Sequence, residues 1–173
     1  IPAVAGIDGI VRSAMVRRGT LEEIRELFFG GELEVALLPV PDILRTPGCA
    51  IIGASAISAM GASHLYMLYS KKLPTEIEKV LIDREDLGGA ALAKFLMAKK
   101  LMIRPEVIQS PQPLNPEKFD FLSGNDYDAF IVTGPRCFFI RNDAFSFSLD
   151  LTATWYELTN LPYVLHAWAI RRN

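Results

Sequence analysis

A chain of 173 residues, half of them apolar, is long enough to bury a core in one domain or two small lobes and too apolar to be disordered. Twenty acidic against eighteen basic residues leave a net charge of −2, which gives no electrostatic footprint for nucleic acid. No apolar run reaches the roughly 20 residues that cross a bilayer, and no signal peptide is visible, so no membrane partner and a cytoplasmic location are expected.

Ile1–Val11, with glycines at 6 and 9, predicts no element. Ser13–Val16 reads as a short strand. Thr20 then caps a helix, with Glu23 completing a capping box; Leu21, Ile24, Leu27 and Phe28 form its apolar stripe, and Gly30-Gly31 ends it. Glu34–Leu38 is the next strand, and strand–helix–strand order implies a right-handed parallel crossover. Prolines 39, 41 and 47 enclose a turn-rich segment with one helical turn at Asp42–Leu44. Cys49–Ser58 is a strand of small residues, Gly61–His64 a loop, and Leu65–Tyr69 an apolar strand.

Further on, Lys79–Ile82 is a strand. Asp86 can cap a helix from Leu87 to about Lys100, with Ala91, Phe95 and Ala98 at helical spacing. Pro105–Gln109 is a strand, and the prolines of Ser110–Pro116 make a loop. Asp128–Thr133 is a strand, Pro135 starts a short helix, and Phe145–Leu149 alternates as a strand does. Leu151, Trp155 and Leu158 share one face of a last helix, closed by Asn160 and Pro162. Tyr163–Ile170 runs apolar without helical period, as a strand buried on both faces. Alternating strands and helices place the chain in the α/β class.

The last segment carries a resemblance. Asp150-Leu151, Trp155, Leu158-Thr159, Leu161-Pro162-Tyr163-Val164 and Trp168-Ala169 follow the pattern D-L-x-x-x-W-x-x-L-T-x-L-P-[FY]-V-x-x-x-W-A. That pattern is similar to the segment by which the futalosine-pathway menaquinone biosynthesis family re-enters its first lobe. Gly31–Pro39, GELEVALLP, resembles the same family's G-E-L-D-V-A-L-V-P. The family holds chorismate dehydratase and 1,4-dihydroxy-6-naphthoate synthase. The resemblance implies a type 2 periplasmic-binding-protein-like fold, two α/β lobes with a ligand cleft. Residues 1–70 plus 163–173 would form the first lobe and 71–162 the second. The two crossings, Leu65–Ser70 and Pro162–Ala169, would be adjacent strands below the cleft. Relatives run well past Asn173, so the first lobe is expected to be incomplete, with one sheet face bare and covered by a second copy in a homodimer unless a C-terminal part of the chain is missing.

Ligands in open α/β sheets bind beyond the carboxyl ends of strands, where helix N-termini hold anions. Three loops fit. In Gly61–His64, Ser63 could donate to a carboxylate and His64 could carry charge or move a proton; relatives show an Arg-Ser pair where this chain has His64-Leu65. In Asp83–Ala90, Gly88 and Gly89 stand where relatives place the hydroxyl pair that grips the substrate's carboxylate, leaving backbone N–H groups to bind an anion. Asp83, Glu85 and Asp86 read as a solvated acidic turn rather than as acids or bases. In Thr133–Arg136, Thr133 and Gly134 end a strand, and Arg136 is the best partner for a carboxylate; relatives often show Gly-Asp where this chain has Gly134-Pro135. The implied ligand is a small carboxylate such as chorismate, and the implied reaction its dehydration. No convincing general base is visible, so a member that kept the fold and lost the chemistry is the rival reading.

No cofactor is expected. There is no P-loop, no G-x-S-x-G and no H-E-x-x-H. His64 and His166 are too far apart in sequence to argue a metal site. Cys49 and Cys137 lack metal spacing and are expected to be free thiols.

Overall fold

The computed structural model of the chain describes residues 15–83, 87–110, 114, 126–140 and 142–172. The strand expected at Ser13–Val16 lies partly outside these residues, and its described part, Met15 and Val16, is in no regular element. The Asp86 cap and most of the proline-rich loop also lie outside them.

The described residues divide into two compact units. One runs up to Ile57 and resumes at Val164; the other is Ser58–Tyr163.

The first unit opens with α1, Leu21–Gly30. Thr20 Oγ1 accepts from the Glu23 N–H, and Glu23 Oε2 accepts from the Thr20 N–H, the reciprocal box read from the sequence. Gly31 closes the helix at φ 95°, a conformation that a side chain would strain. Strand β1 (Val35–Pro39), helix α2 (Val40–Arg45) and strand β2 (Cys49–Ala59) follow, and the chain returns as β8 (Tyr163–Arg171). The sheet order is β1-β8-β2, with β1 antiparallel to β8. Side chains alternate across this sheet. Ala36, Leu38, Ala167 and Ala169 face Phe28 of α1 and Ile43 of α2, forming the unit's core.

The second unit holds a five-stranded sheet, order β5-β4-β6-β3-β7. Its strands are β3 (Tyr66–Ser70), β4 (Lys79–Ile82), β5 (Glu106–Gln109), β6 (Ala129–Thr133) and β7 (Phe147–Asp150). Helix α3 spans Leu87–Lys99 and α4 spans Leu151–Thr159. Strand β4 runs parallel to β5 and β6, while β3 is antiparallel to β6 and β7. Both faces are covered. Leu68, Val80, Ile82, Ala129 and Ile131 meet Leu92, Leu96 and Met97 of α3 and Leu151 of α4. The alternate residues Met67, Tyr69, Leu81, Phe130 and Val132 meet Leu114, Cys137 and Ile140. Burial on both sides explains why these strands read as continuous apolar runs.

Three sequence expectations need correction. The strands at Leu65–Ser70 and Pro162–Ala169 are not neighbours: β3 lies between β6 and β7, and β8 lies between β1 and β2. The apolar run of β3 reports the interior of the five-stranded sheet. The strands beside β8 are β1 and β2, and the small residues of β2 carry no such signal. Second, α3 does not bury the stripe Ala91, Phe95, Ala98: Phe95 is 40% exposed, and Leu92, Ala93, Leu96 and Met97 are the buried residues. The helix is apolar on several sides, so periodicity cannot choose the face. Third, Leu158 is 43% exposed while Leu151 is fully buried. Between them Trp155 is half-buried against Phe95 and Tyr163, ring centroids 5.7 and 5.6 Å away.

Candidate functional site

All seven residues singled out in the sequence belong to the second unit. The register shows how its sheet gathers them. Tyr66, the first residue of β3, lies opposite Thr133, the last of β6. Its neighbour Met67 lies opposite Asp150, the last of β7. Strands β4 and β6 end side by side, with Ile82 opposite Ile131. One end of the sheet therefore carries the loop before β3, the start of α3, the turn after β6 and the start of α4. In a sheet with parallel strands this is the end where ligands bind.

The loop before β3 is tied to the start of α4. Asp150 is the helix N-cap: its Oδ1 accepts from the backbone N–H groups of Thr152 (2.9 Å) and Ala153 (3.0 Å) and from Thr152 Oγ1 (2.7 Å). Its Oδ2 accepts the His64 backbone N–H at 2.7 Å and lies 3.7 Å from His64 Nδ1. Thr152 Oγ1 also accepts the Ser63 N–H at 3.1 Å and sits 2.9 Å from Ser63 Oγ. Ser63 Oγ in turn accepts the Leu65 N–H. The Ser63 hydroxyl is thus engaged within the protein. The His64 side chain projects outward, 68% exposed, from a left-handed backbone at φ 56°.

Arg136 lies in the 3-10 helix Gly134–Phe139, which follows β6 directly. Gly134 makes the turn at φ 72° and donates its N–H to the Leu65 carbonyl, 2.7 Å away. Arg136 Nη1 donates to the Leu114 carbonyl at 3.0 Å and pairs with Asp83 Oδ2 at 2.7 Å. Asp83 Oδ2 also accepts the Leu114 N–H. Asp83 is 1% exposed, which corrects its reading as part of a solvated turn; Glu85 and Asp86 lie outside the described residues. Its carboxylate is buried because a guanidinium and a backbone N–H compensate it. Cys137 beside Arg136 is a buried free thiol. Burial pushes its pKa up to about 12, so it stays protonated and is no nucleophile.

Gly88 and Gly89 sit in the first turn of α3. The Tyr163 hydroxyl approaches the Gly88 carbonyl at 3.5 Å, and the Tyr163 ring lies 6.2 Å from that of Tyr66. The sequence reading missed Asp150, Thr152 and Tyr163 as parts of this end. Asp150-Leu151 before an apolar helix was a visible capping signal. The link from that cap to His64 spans the whole unit and leaves no trace in local sequence.

A family model described as menaquinone biosynthesis matches residues 5–173. The chain belongs to that family. No curated protein matches it in sequence. Among solved structures it is similar to protein AF1704 of Archaeoglobus fulgidus, with a TM-score of 0.56 at 20% identity, covering 90% of this chain and 56% of that one. It is similar to the periplasmic aliphatic sulphonate binding protein SsuA of Escherichia coli, with a TM-score of 0.59 at 11% identity, over 98% of this chain and 59% of that one. A periplasmic substrate-binding protein of an ABC transporter from Coxiella burnetii gives a TM-score of 0.51 at 14% identity, over 98% and 77%. The chain thus spans little more than half the length of two of these three. The fold is periplasmic-binding-protein-like of type 2, as the motifs around Gly31–Pro39 and Asp150–Ala169 implied. Membership of the menaquinone biosynthesis family rests on the match along the chain, not on those distant likenesses.

Proposed function

We propose that this member of the menaquinone biosynthesis family binds a small carboxylate of the chorismate class and eliminates water from it. The observation that carries the reading is the gathering of the candidate residues at one end of the five-stranded sheet. Ser63, His64, Gly88, Gly89, Thr133, Gly134 and Arg136 come from loops far apart in sequence. The N-terminus of α3 lies at the same end, and a helix N-terminus favours an anion. Arg136 adds a guanidinium held in place by Asp83.

The test is to titrate the protein with chorismate by calorimetry and to assay the mixture for an enolpyruvyl-substituted aromatic product. Binding with product formation is expected. Absence of binding would sink the reading.

One observation favours a rival. Arg136 is already paired with Asp83, and Ser63 with Thr152, so two of the expected carboxylate contacts are engaged within the protein. A member that binds its ligand without converting it fits that arrangement, and binding without product is the outcome that would select it.

A further inference from the structure

We propose that Phe139 is the residue by which the candidate site selects its ligand, its ring packing on the ring of a cyclic carboxylate whose anion is held by Arg136. This rests on the carboxylate-binding half of the reading above and not on the elimination.

The short 3-10 helix Gly134–Phe139 after β6 sorts its side chains by threes. A 3-10 helix has three residues per turn, so side chains three apart share a face. Burial follows that period. Cys137 and Ile140 are buried in the core with Met67, Tyr69 and Val132. Pro135 and Phe138 share a second face, and Arg136 and Phe139 the third. Both phenylalanines are two-thirds exposed, so neither ring contributes to the core that folds this unit.

The Arg136 guanidinium is held at one end and open at the other. Nη1 donates to the Leu114 carbonyl at 3.0 Å and pairs with Asp83 Oδ2 at 2.7 Å. Among the described residues Nε and Nη2 have no partner, and the side chain is 35% exposed. These two nitrogens lie on one edge of the planar group and donate in parallel, the geometry that a carboxylate accepts with both oxygens. Asp83 therefore orients the guanidinium without occupying its carboxylate-binding edge.

A charged edge and an exposed ring on one face suit an amphipathic ligand. Small-molecule sites combine aromatic walls with a few fixed polar groups. Arg136 and Phe139 leave the helix one turn apart, about 6 Å along its axis. A ring that carries its carboxylate directly bridges that separation and lays a flat face or an edge against Phe139. An open chain bridges it too but offers no flat face. The ligand class is thus a carboxylate borne directly on a flat six-membered ring. Chorismate and benzoate belong to it; heptanoate, with the carbon count of benzoate, does not.

The experiment titrates the full chain with chorismate, benzoate and heptanoate by calorimetry, for the wild type, Phe139→Leu and Phe138→Leu. Both positions are exposed, so neither variant removes a core side chain. The wild type is expected to bind both ring carboxylates more tightly than heptanoate. Phe139→Leu should weaken the ring carboxylates about three- to tenfold and leave heptanoate within about twofold. Phe138→Leu, equally exposed but on another face, should leave all three within about twofold. No wild-type preference for the ring carboxylates overturns the assignment, as does a loss below about threefold in Phe139→Leu. Equal weakening by the two variants overturns it as well, because the shared face with Arg136 would then be irrelevant. In each of these cases carboxylate binding stands. A wild type that binds none of the three overturns that reading and the role of Phe139 together.

Discussion

His166 shows what one buried side chain does to stability. It lies in β8, half-buried, and among the described residues its Nδ1 is buried without a hydrogen-bond partner. Burial lowers its pKa, the Asp42 carboxylate opposes that, and the Arg25 guanidinium adds to it. An unfolded histidine titrates near about 6.5. The folded value is lower, so as pH falls below about 6.5 the unfolded state binds more protons and stability drops. Denaturation at pH 7.5 and at pH 5.5 should show the wild type losing stability, and His166→Gln losing less. An equal loss in both would mean that His166 is not the group responsible. Gly134 gives a second test at this scale. Its φ of 72° strains any side chain, but nothing lies within 4 Å of an added Cβ. Gly134→Ala should therefore cost about 1–2 kcal/mol through the backbone alone, read as a shift in denaturation midpoint. A cost above about 3 kcal/mol would show that the turn packs more tightly than the open space around it indicates. The turn glycines were legible in the sequence. The partners of Arg136 and His64 were not, because a carboxylate reveals its partner only when strands distant in sequence are set side by side.

Elements were legible where their boundaries carried chemistry. The Thr20–Glu23 capping box, the Asn160 cap at φ 55° and the strand Lys79–Ile82 stand where the residues placed them. Faces were harder to read. Helix α3 has apolar residues around much of its circumference, and its buried side is decided by the sheet beneath it. The pairing of β8 with β2 rather than β3 was likewise set by tertiary partners. One link between elements invites a measurement, at the sheet end opposite the candidate site. Asp128 Oδ2 accepts the N–H groups of Glu78 and Lys79 at 2.8 and 2.9 Å, and Oδ1 pairs with Lys72 Nζ at 2.6 Å. This clamps the start of β4 to the start of β6. Burial alone would raise the Asp128 pKa, but the Lys72 ammonium and the two N–H groups outweigh it and hold it below the usual value. A depressed carboxylate stabilises the fold above its unfolded pKa of about 3.9, and that stability is lost as pH falls through the lower folded value. Asp128→Asn should cost about 1.5–3 kcal/mol at pH 7 and flatten the decline of stability below pH of about 4. An unchanged acid limb would mean that the clamp does not hold in solution.

Among the described residues the two units carry cores of unequal size. The second covers both faces of a five-stranded sheet. The first packs Phe28 and Ile43 onto Ala36, Leu38, Ala167 and Ala169, on one face of three strands. A core that small is marginal by itself. The chain has two tryptophans, Trp168 in the first unit and Trp155 in the second, so each unit holds its own reporter. In urea, Trp155→Phe should report the first unit through Trp168, and Trp168→Phe the second through Trp155. The Trp168 signal should change at the lower urea concentration. Coincident transitions would show that the units unfold as one. The other side of the three-stranded sheet decides a further point. Opposite the packed alanines, β1 and β8 present Val35, 43% exposed, with Leu37, Trp168 and Ile170, and Ile52 of β2 joins Val35 and Trp168 in a shallow apolar groove. None of these side chains is charged, so two copies can meet across a twofold axis, patch against patch, without like-charge repulsion. We therefore propose a second copy of the chain as the occupant of this face. Mass action then requires the Trp168 transition to move to higher urea as protein concentration rises, and sedimentation to show a dimer at micromolar concentration. A monomer whose Trp168 transition is independent of concentration would rule out the second copy there. Trp168→Asp separates the possibilities further: it should dissociate a dimer built on this face while leaving the Trp155 transition where it was.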